Sequence, residues 1–502
     1  MRHPGSSSRE LQRKVDSILL RQSYPTQASL LVKLVRSKML LLVICLTCHH
    51  AVAADRQWYS LTIDGNRVGY AWHDHDQQSG KVSDSEVARI EVEQLRKRVT
   101  VEMRNEVTRS AAGLPQHMGV ESIIGATRNG WQGTFSADAR TLNVVVPTAV
   151  GAQTFFVPVD LILPDRLSDA LRPMWQEGRR EMEVQYLEPT AAKPIRLSAE
   201  LLSLPDTEPR VAQVRMSETV GHWSHQEIIW IGEDGLIHHR ERKIFGATLV
   251  WDRCLRDCDS RVDKPFDLMS KLVVQSPYRI PKGAFAGPIR YVISQVDGHA
   301  PQIPGTGEQA VVMDGSTAIL TVCATCGVPE QLTESERRRY LQSNAWVQSE
   351  LPQIRDFANR HGQGRSQVQI MDNLVVAVRN HMTGPVDYLG YGSAAEALRT
   401  RSGDCTEYAV LLAALARARG IPSRVAYGLV YADRFSGKKD VFSPHAWVQV
   451  WTGSRWQSYD AGIGEFDATH LALSLGDGDP RDAQTALVGP ADLRIEKLGH
   501  VN

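Results

Sequence analysis

Three residue types that together perform acyl transfer occur in order in the last quarter of the chain: Cys405, His445 and Asp460. A thiolate is a strong nucleophile, an imidazole can take and return its proton, and a carboxylate fixes the tautomer and orientation of that imidazole. Cys405 lies in Gly403-Asp404-Cys405-Thr406-Glu407-Tyr408, ahead of an apolar run ending at Leu415. Asp404 followed three residues later by Glu407 is a capping-box pattern, which predicts a helix opening at Cys405. Unpaired N–H groups and the helix dipole in that first turn favour a thiolate, so a lowered thiol pKa is expected.

The elements that must position the other two are readable nearby. In Ser443-Pro444-His445-Ala446-Trp447-Val448-Gln449-Val450-Trp451 the residues alternate, with Ala446, Val448 and Val450 on one strand face and His445, Trp447 and Gln449 on the other. Thr452-Gly453-Ser454-Arg455 predicts a turn, and Trp456 to Asp460 a returning strand. With Trp451 opposite Trp456, Trp447 falls opposite Asp460, and His445 becomes its diagonal neighbour on the same face. A slip of one residue would separate the base from its carboxylate. Taken singly, each residue has an ordinary reading: a small buried hydrophobe, a hydrogen-bonded strand histidine, a turn-forming aspartate. Their conjunction favours chemistry.

The same pieces resemble the transglutaminase-like superfamily. They are Gly403 to Ala409, then Gly420-Ile421-Pro422-Ser423-Arg424-Val425, His445-Ala446-Trp447-Val448-Gln449-Val450, and Trp456 with Tyr459-Asp460. The resemblance runs from about residue 372 to 479 and implies a papain-like core. It also implies Cys405 as nucleophile, His445 as base and acid, and Asp460 as orienter. The superfamily includes cross-linking enzymes, peptidases, amidases and inactive relatives. Hydrolysis by a cysteine peptidase or amidase is the favoured reading. Cross-linking at protein glutamines is the alternative, and a non-catalytic envelope scaffold is a rival from another class. No cofactor or metal is implied. The oxyanion would be met by the Cys405 N–H and a second donor, for which Tyr388, Tyr391 and a Trp447 backbone group are candidates.

At 502 residues the chain is too long for one typical domain. Lys plus Arg and Asp plus Glu balance at 57 each, but the balance is uneven along the chain. Residues 1–38 carry eight basic residues against Glu10 and Asp16, leaving a net −6 on the remainder, which argues against nucleic acid as a partner. The apolar block 39–47 is too short to span a membrane and suits a signal-peptide core, with Ala51-Val52-Ala53 as a cleavage pattern. Export to the periplasm is therefore expected, with the mature chain starting near Ala54 or Asp55. An uncleaved leader would be the one membrane attachment. Substrates would then be proteins or peptides of the cell envelope. Cleavage leaves Cys254, Cys258, Cys323, Cys326 and Cys405. In an oxidising compartment the first four can pair and leave Cys405 free, although a zinc site at those four is an alternative.

The expected fold class is α+β, with an antiparallel β-rich domain preceding the papain-like core. The expected divisions are 1–54 leader, 55–265 β-rich domain, 266–330 linker and small β unit with Cys323-Ala324-Thr325-Cys326, 331–490 catalytic core, and 491–502 tail. Trp58 to Ile63 and Arg67 to Trp72, joined by Asp64-Gly65-Asn66, predict a hairpin. Only 165–178 suggests a short helix within the β-rich part. His73 and His75 share one strand face, a spacing that admits a metal but reads more simply as solvated positions. By its resemblance to envelope β modules, this domain would bind substrate or partner. Helices are expected from Thr333 through Val347 with a break near Pro352, over 369–381, and over 393–399.

Overall fold

The computed structural model describes residues 55–78, 80–94, 97–124, 127–145, 152–189, 193–204, 210–220, 223–244, 247–254, 262, 264–296, 298, 300–384, 391–480, 482 and 493–500. The leader, Cys258 and Tyr388 lie outside these residues. Alternating apolar and polar positions from Asp55 to Cys254 build one large, almost wholly antiparallel sheet. Its first hairpin pairs Asp55–Ile63 with Asn66–Gln78, Trp58 lying opposite Trp72. Asp64 and Gly65 take φ of 49° and 79°, the left-handed pair that a tight hairpin turn demands. From there successive hairpins run outward to Ala152–Phe156. On the other side, Ala247–Cys254 pairs with Asp55–Ile63, and the strands run back to Glu181–Glu188 and Leu161–Ile162.

The sheet curls. Leu187, from near one end of the strand order, shares a buried cluster with Val107, Met118, Trp131 and Leu142 from near the other end. A buried pairing of Arg109 with Asp165, at 2.6 and 2.9 Å, fastens the same seam. Residues 164–176 hold short helical turns there, as the sequence predicted. His73 is half-buried and His75 exposed, as solvated strand positions would be, and both also turn toward buried Asp84 on the neighbouring strand, with His75 Nδ1 2.7 Å and His73 Nε2 3.8 Å from its carboxylate.

The C-terminal half is α+β. Its central sheet runs Val274–Gln275, Lys438–Trp451, Ser423–Phe435, His470–Gly476, with Trp456–Tyr459 also on Lys438–Trp451. A second sheet orders Gln309–Asp314, Thr317–Val322, Ile289–Gln295, Leu493–His500. One apolar cluster joins both sheets to the helices, including Tyr291, Leu320, Leu374, Leu411, Val448 and Ile495. The expected small β unit is present, and from Val274 to Val322 its apolar residues belong to the core's own packing, while Phe266–Asp267 pairs with Lys81–Gln94 of the β-rich sheet. The expected tail is corrected: Leu493–His500 is a strand, because Leu493 and Ile495 alternate inward and the backbone pairs with Ile289–Gln295. Thr333 caps a helix as expected, but that helix ends at Leu341. Asn344 then turns the chain by accepting the Trp346 and Val347 N–H groups, and Pro352 opens the separate helix Pro352–His361. A proline at the first helical position costs no hydrogen bond, so it starts this helix and does not break one. Among the described residues, no helix is long and apolar enough to cross a membrane.

Cys323 and Cys326 form a disulfide, and Cys254 is disulfide-bonded, so these sulfurs are not thiolate ligands for zinc. Cys405 is a free thiol. Beside the disulfide, Glu308 is buried against the hairpin strand Trp456–Tyr459. It accepts the Ser458 N–H at 2.8 Å and bonds the Ser458 hydroxyl. Burial pushes the Glu308 carboxyl up to about 7. The unfolded chain, with an ordinary glutamate, ionises first as pH rises. Stability is thus lost between about pH 4.5 and 7 and levels off above, an effect on the order of 3 kcal/mol. Glu308→Gln keeps an acceptor for Ser458 N–H and carries no charge. Its melting temperature relative to the parent is expected to rise from pH 5 to pH 8 in calorimetry. A difference that stays constant across that window contradicts the assignment.

Candidate active site

The helix Cys405–Ala418 begins where the sequence placed it. Asp404 Oδ1 accepts the Thr406 N–H at 2.8 Å, and Glu407 Oε2 accepts the Asp404 N–H at 2.8 Å, closing the capping box. Glu407 Oε1 also takes the Gly392 N–H, which ties the helix start to the preceding loop. Beyond the first turn, Ala409 to Ala416 are all buried. A helix apolar on every face is held from all sides, so its N-terminus is a fixed platform.

His445 lies on the central strand Lys438–Trp451, and the register is the one the chemistry needs: Trp451 opposite Trp456 and Val448 opposite Tyr459. Asp460 follows directly, and its Oδ2 stands 2.6 Å from His445 Nε2. That commits Nε2 to the carboxylate and leaves Nδ1 outside that bond. Asp460 Oδ1 accepts the N–H groups of Gly462 and Ile463 at 2.6 and 3.1 Å. Burial alone would raise the Asp460 carboxyl; His445 and a second histidine outweigh it and hold the group far below the ordinary carboxylate range.

Cys405 approaches the strand that carries His445. The N–H of Ala446, the residue after His445, is directed at its thiol. A methyl group placed on Gly462 would sit 3.6 Å from His445 Cε1 and 4.0 Å from Cys405 Cα, so the imidazole and the Cys405 backbone flank one small gap. The thiol itself departs from expectation. Burial pushes it well above the usual range, and the Asp404, Glu407 and Asp460 carboxylates push the same way. Cys405 nevertheless keeps partial solvent exposure. Desolvation and three nearby carboxylates thus oppose the partial charge of the helix end. At the first position of a helix, the Cys405 N–H has no intrahelical acceptor and is available to an oxyanion. Tyr391 is not the second donor: its hydroxyl donates to the Gly478 carbonyl at 3.0 Å and shares a 2.6 Å bond with Tyr427.

The sequence reading missed His470. This fully buried residue opens the strand His470–Gly476 and places Nε2 3.1 Å from Asp460 Oδ2. Its neighbourhood is non-local: Val430 is its partner across the sheet, and no local spacing marks it. His445, Asp460 and His470 lie close enough together to be considered as a metal-ligand set. Yet both histidines approach the same oxygen at hydrogen-bond length, and His470 also faces Asp467 at 3.2 Å through its other nitrogen. The Asp467 N–H also points at that nitrogen at 3.3 Å, so His470 is held by hydrogen bonds on both sides.

Residues 356–461 match the transglutaminase-like superfamily core. An uncharacterised protein of Mycobacterium leprae is 32% identical over 111 residues, which are 21% of this chain and 39% of that relative; the chain thus spans about two fifths of its length. A solved structure from Cytophaga hutchinsonii, named as a candidate cysteine protease, covers 43% of this chain and 84% of its own at 18% identity, with a TM-score of 0.27. A β-barrel-like protein of a domain of unknown function from Brucella abortus covers 40% of this chain and 94% of its own at 10% identity, with a TM-score of 0.32.

Proposed function

We propose that this chain, which carries a transglutaminase-like core domain over residues 356–461, is an exported thiol-dependent acyl-transfer enzyme. It would hydrolyse amide bonds in proteins or peptides of the cell envelope. The observation that carries this reading is the buried His445–Asp460 pair at 2.6 Å, set beside the one free thiol among the described residues. His445 Nδ1 takes the Cys405 proton as sulfur attacks the amide carbon, and the oxyanion is met by the Cys405 N–H. The imidazolium then gives that proton to the leaving amine as the C–N bond breaks, leaving a thioester. Water, deprotonated by His445, attacks the thioester; the C–S bond breaks and the acid leaves. Asp460 keeps the ring in the tautomer that presents Nδ1 to sulfur.

Water and an amine compete for the same thioester, so the test measures both. The full chain, without reductant so that the Cys323–Cys326 bond persists, is incubated with envelope peptides and a fluorescent primary amine. Release of new amino termini is expected to exceed amine incorporation at glutamine. Incorporation without hydrolysis would overturn the hydrolytic reading in favour of cross-linking.

A further inference from the structure

Behind the carboxylate that orients His445 stands a row of alternating charge. His470 Nε2 faces Asp460 Oδ2 at 3.1 Å, and His470 Nδ1 faces Asp467 Oδ1 at 3.2 Å. The Asp467 carbonyl faces the same nitrogen at 3.2 Å, against one N–H, that of Asp467, at 3.3 Å, so acceptors predominate around the ring and favour its protonated form, which donates from both nitrogens. Asp467 is itself held by the N–H and hydroxyl of Thr469 at 2.8 and 2.6 Å. Burial works against charge on the His470 ring, but the bonds to Asp460 and Asp467 prevail and push it up to about 9. The Trp447 ring stands edge-on at 5.1 Å and Phe466 lies at 4.9 Å, closing off water. Two further titratable groups that feel this ring are His445, whose centroid is 5.7 Å away, and Glu308, whose carboxyl it favours in the ionised form.

We propose that His470 is a positioning residue of the acyl-transfer site: a resident cation that locks the Asp460 carboxylate toward His445 and limits how strongly that carboxylate stabilises the His445 imidazolium. This rests on the reading of Cys405 and His445 as the reacting pair. Two effects follow from one charge. The carboxylate cannot rotate away or take up a proton, because both its oxygens are engaged by donors. The second imidazolium, when it forms on His445, meets a like charge across Asp460. Unit charges at that spacing inside a protein shift one another's titration by about one to two pH units.

The experiment is the pH profile of Cys405 alkylation by iodoacetate in the full chain, followed by mass spectrometry. An anionic reagent is drawn to the imidazolium, so the rate falls once the pair loses that proton; the limbs belong to the pair and not to either residue alone. In His470→Gln an amide N–H can still reach Asp460, but the charge is gone. The descending limb is expected about one pH unit higher than in the parent. Asp467→Asn removes the partner that keeps His470 charged while leaving Asp460 and its donors in place, and is expected to move the limb the same way. It also serves if His470→Gln does not fold. A purely structural role would lower the rate at every pH and leave the limb where it was; that result, in a variant with parental melting behaviour, overturns the proposal. A parent profile without a descending limb overturns the reading of the reacting pair, and this proposal falls with it.

Discussion

Cys405→Ala is expected to lower amide hydrolysis by the full chain at least about 10^4-fold, leaving only what binding and oxyanion stabilisation supply. Its cost in stability should stay below about 1 kcal/mol, because only one sulfur is removed from a half-buried position whose cap and helix persist. His445→Ala should lose a comparable factor. The raised thiol pKa makes the sulfur dependent on a partner for its proton. The double variant should be little worse than either single one, since residues acting as a unit are not additive. Initial rates on one peptide, with melting curves for all three proteins, provide the check. Hydrolysis surviving in Cys405→Ala at more than about a hundredth of the parent rate would remove the thioester from the mechanism.

The parts of the site that could be read in the sequence are those fixed by local geometry. The capping pair Asp404 and Glu407 lies within four residues, and both halves of the box form. The register that brings His445 to Asp460 is set by one short turn and the Trp451–Trp456 pair, so counting outward from the turn was sufficient. What depended on distant segments was not legible. His470 reaches Asp460 only because its strand pairs with Ser423–Phe435 and not with its neighbours in sequence. The rise in the thiol pKa was not legible for the same reason: the helix end is a local property, whereas desolvation and the Asp460 field arrive with the folded core. Leu493–His500 contains two charged residues in mid-strand, Glu496 and Lys497, and it gains its place from a partner strand about two hundred residues earlier. The β-rich half showed its alternation plainly, but the curl that brings Leu187 against Met118 is a property of accumulated strand twist.

Arg417→Met should be the most damaging single change to the stability of the core, at about 4 kcal/mol or more. Arg417 lies in the last turn of the nucleophile helix and is almost completely buried. Its guanidinium donates to three carbonyls from separate parts of the chain: Ser423 at 2.9 and 3.3 Å, Gln342 at 2.8 Å and Asp477 at 2.8 Å. Burial is severe enough to bring even this arginine down to about 10. Methionine fills similar volume, but it leaves those carbonyls facing an apolar group, and each unsatisfied acceptor costs about 1–3 kcal/mol. Lysine, a point donor without the planar fork, can serve only part of the set and should fall between the two. For a core of this size, a loss of about 4 kcal/mol lowers the melting temperature by about 10 °C. The consequence reaches the chemistry. Ser423 begins the strand paired with that of His445, and Asp477 directly follows the strand that delivers His470. Loosening these anchors should reduce activity before the protein unfolds, with the loss growing on warming while the parent stays flat. An Arg417→Met protein melting within about 2 °C of the parent would mean that these carbonyls find other donors, and that this strut does not hold the site together.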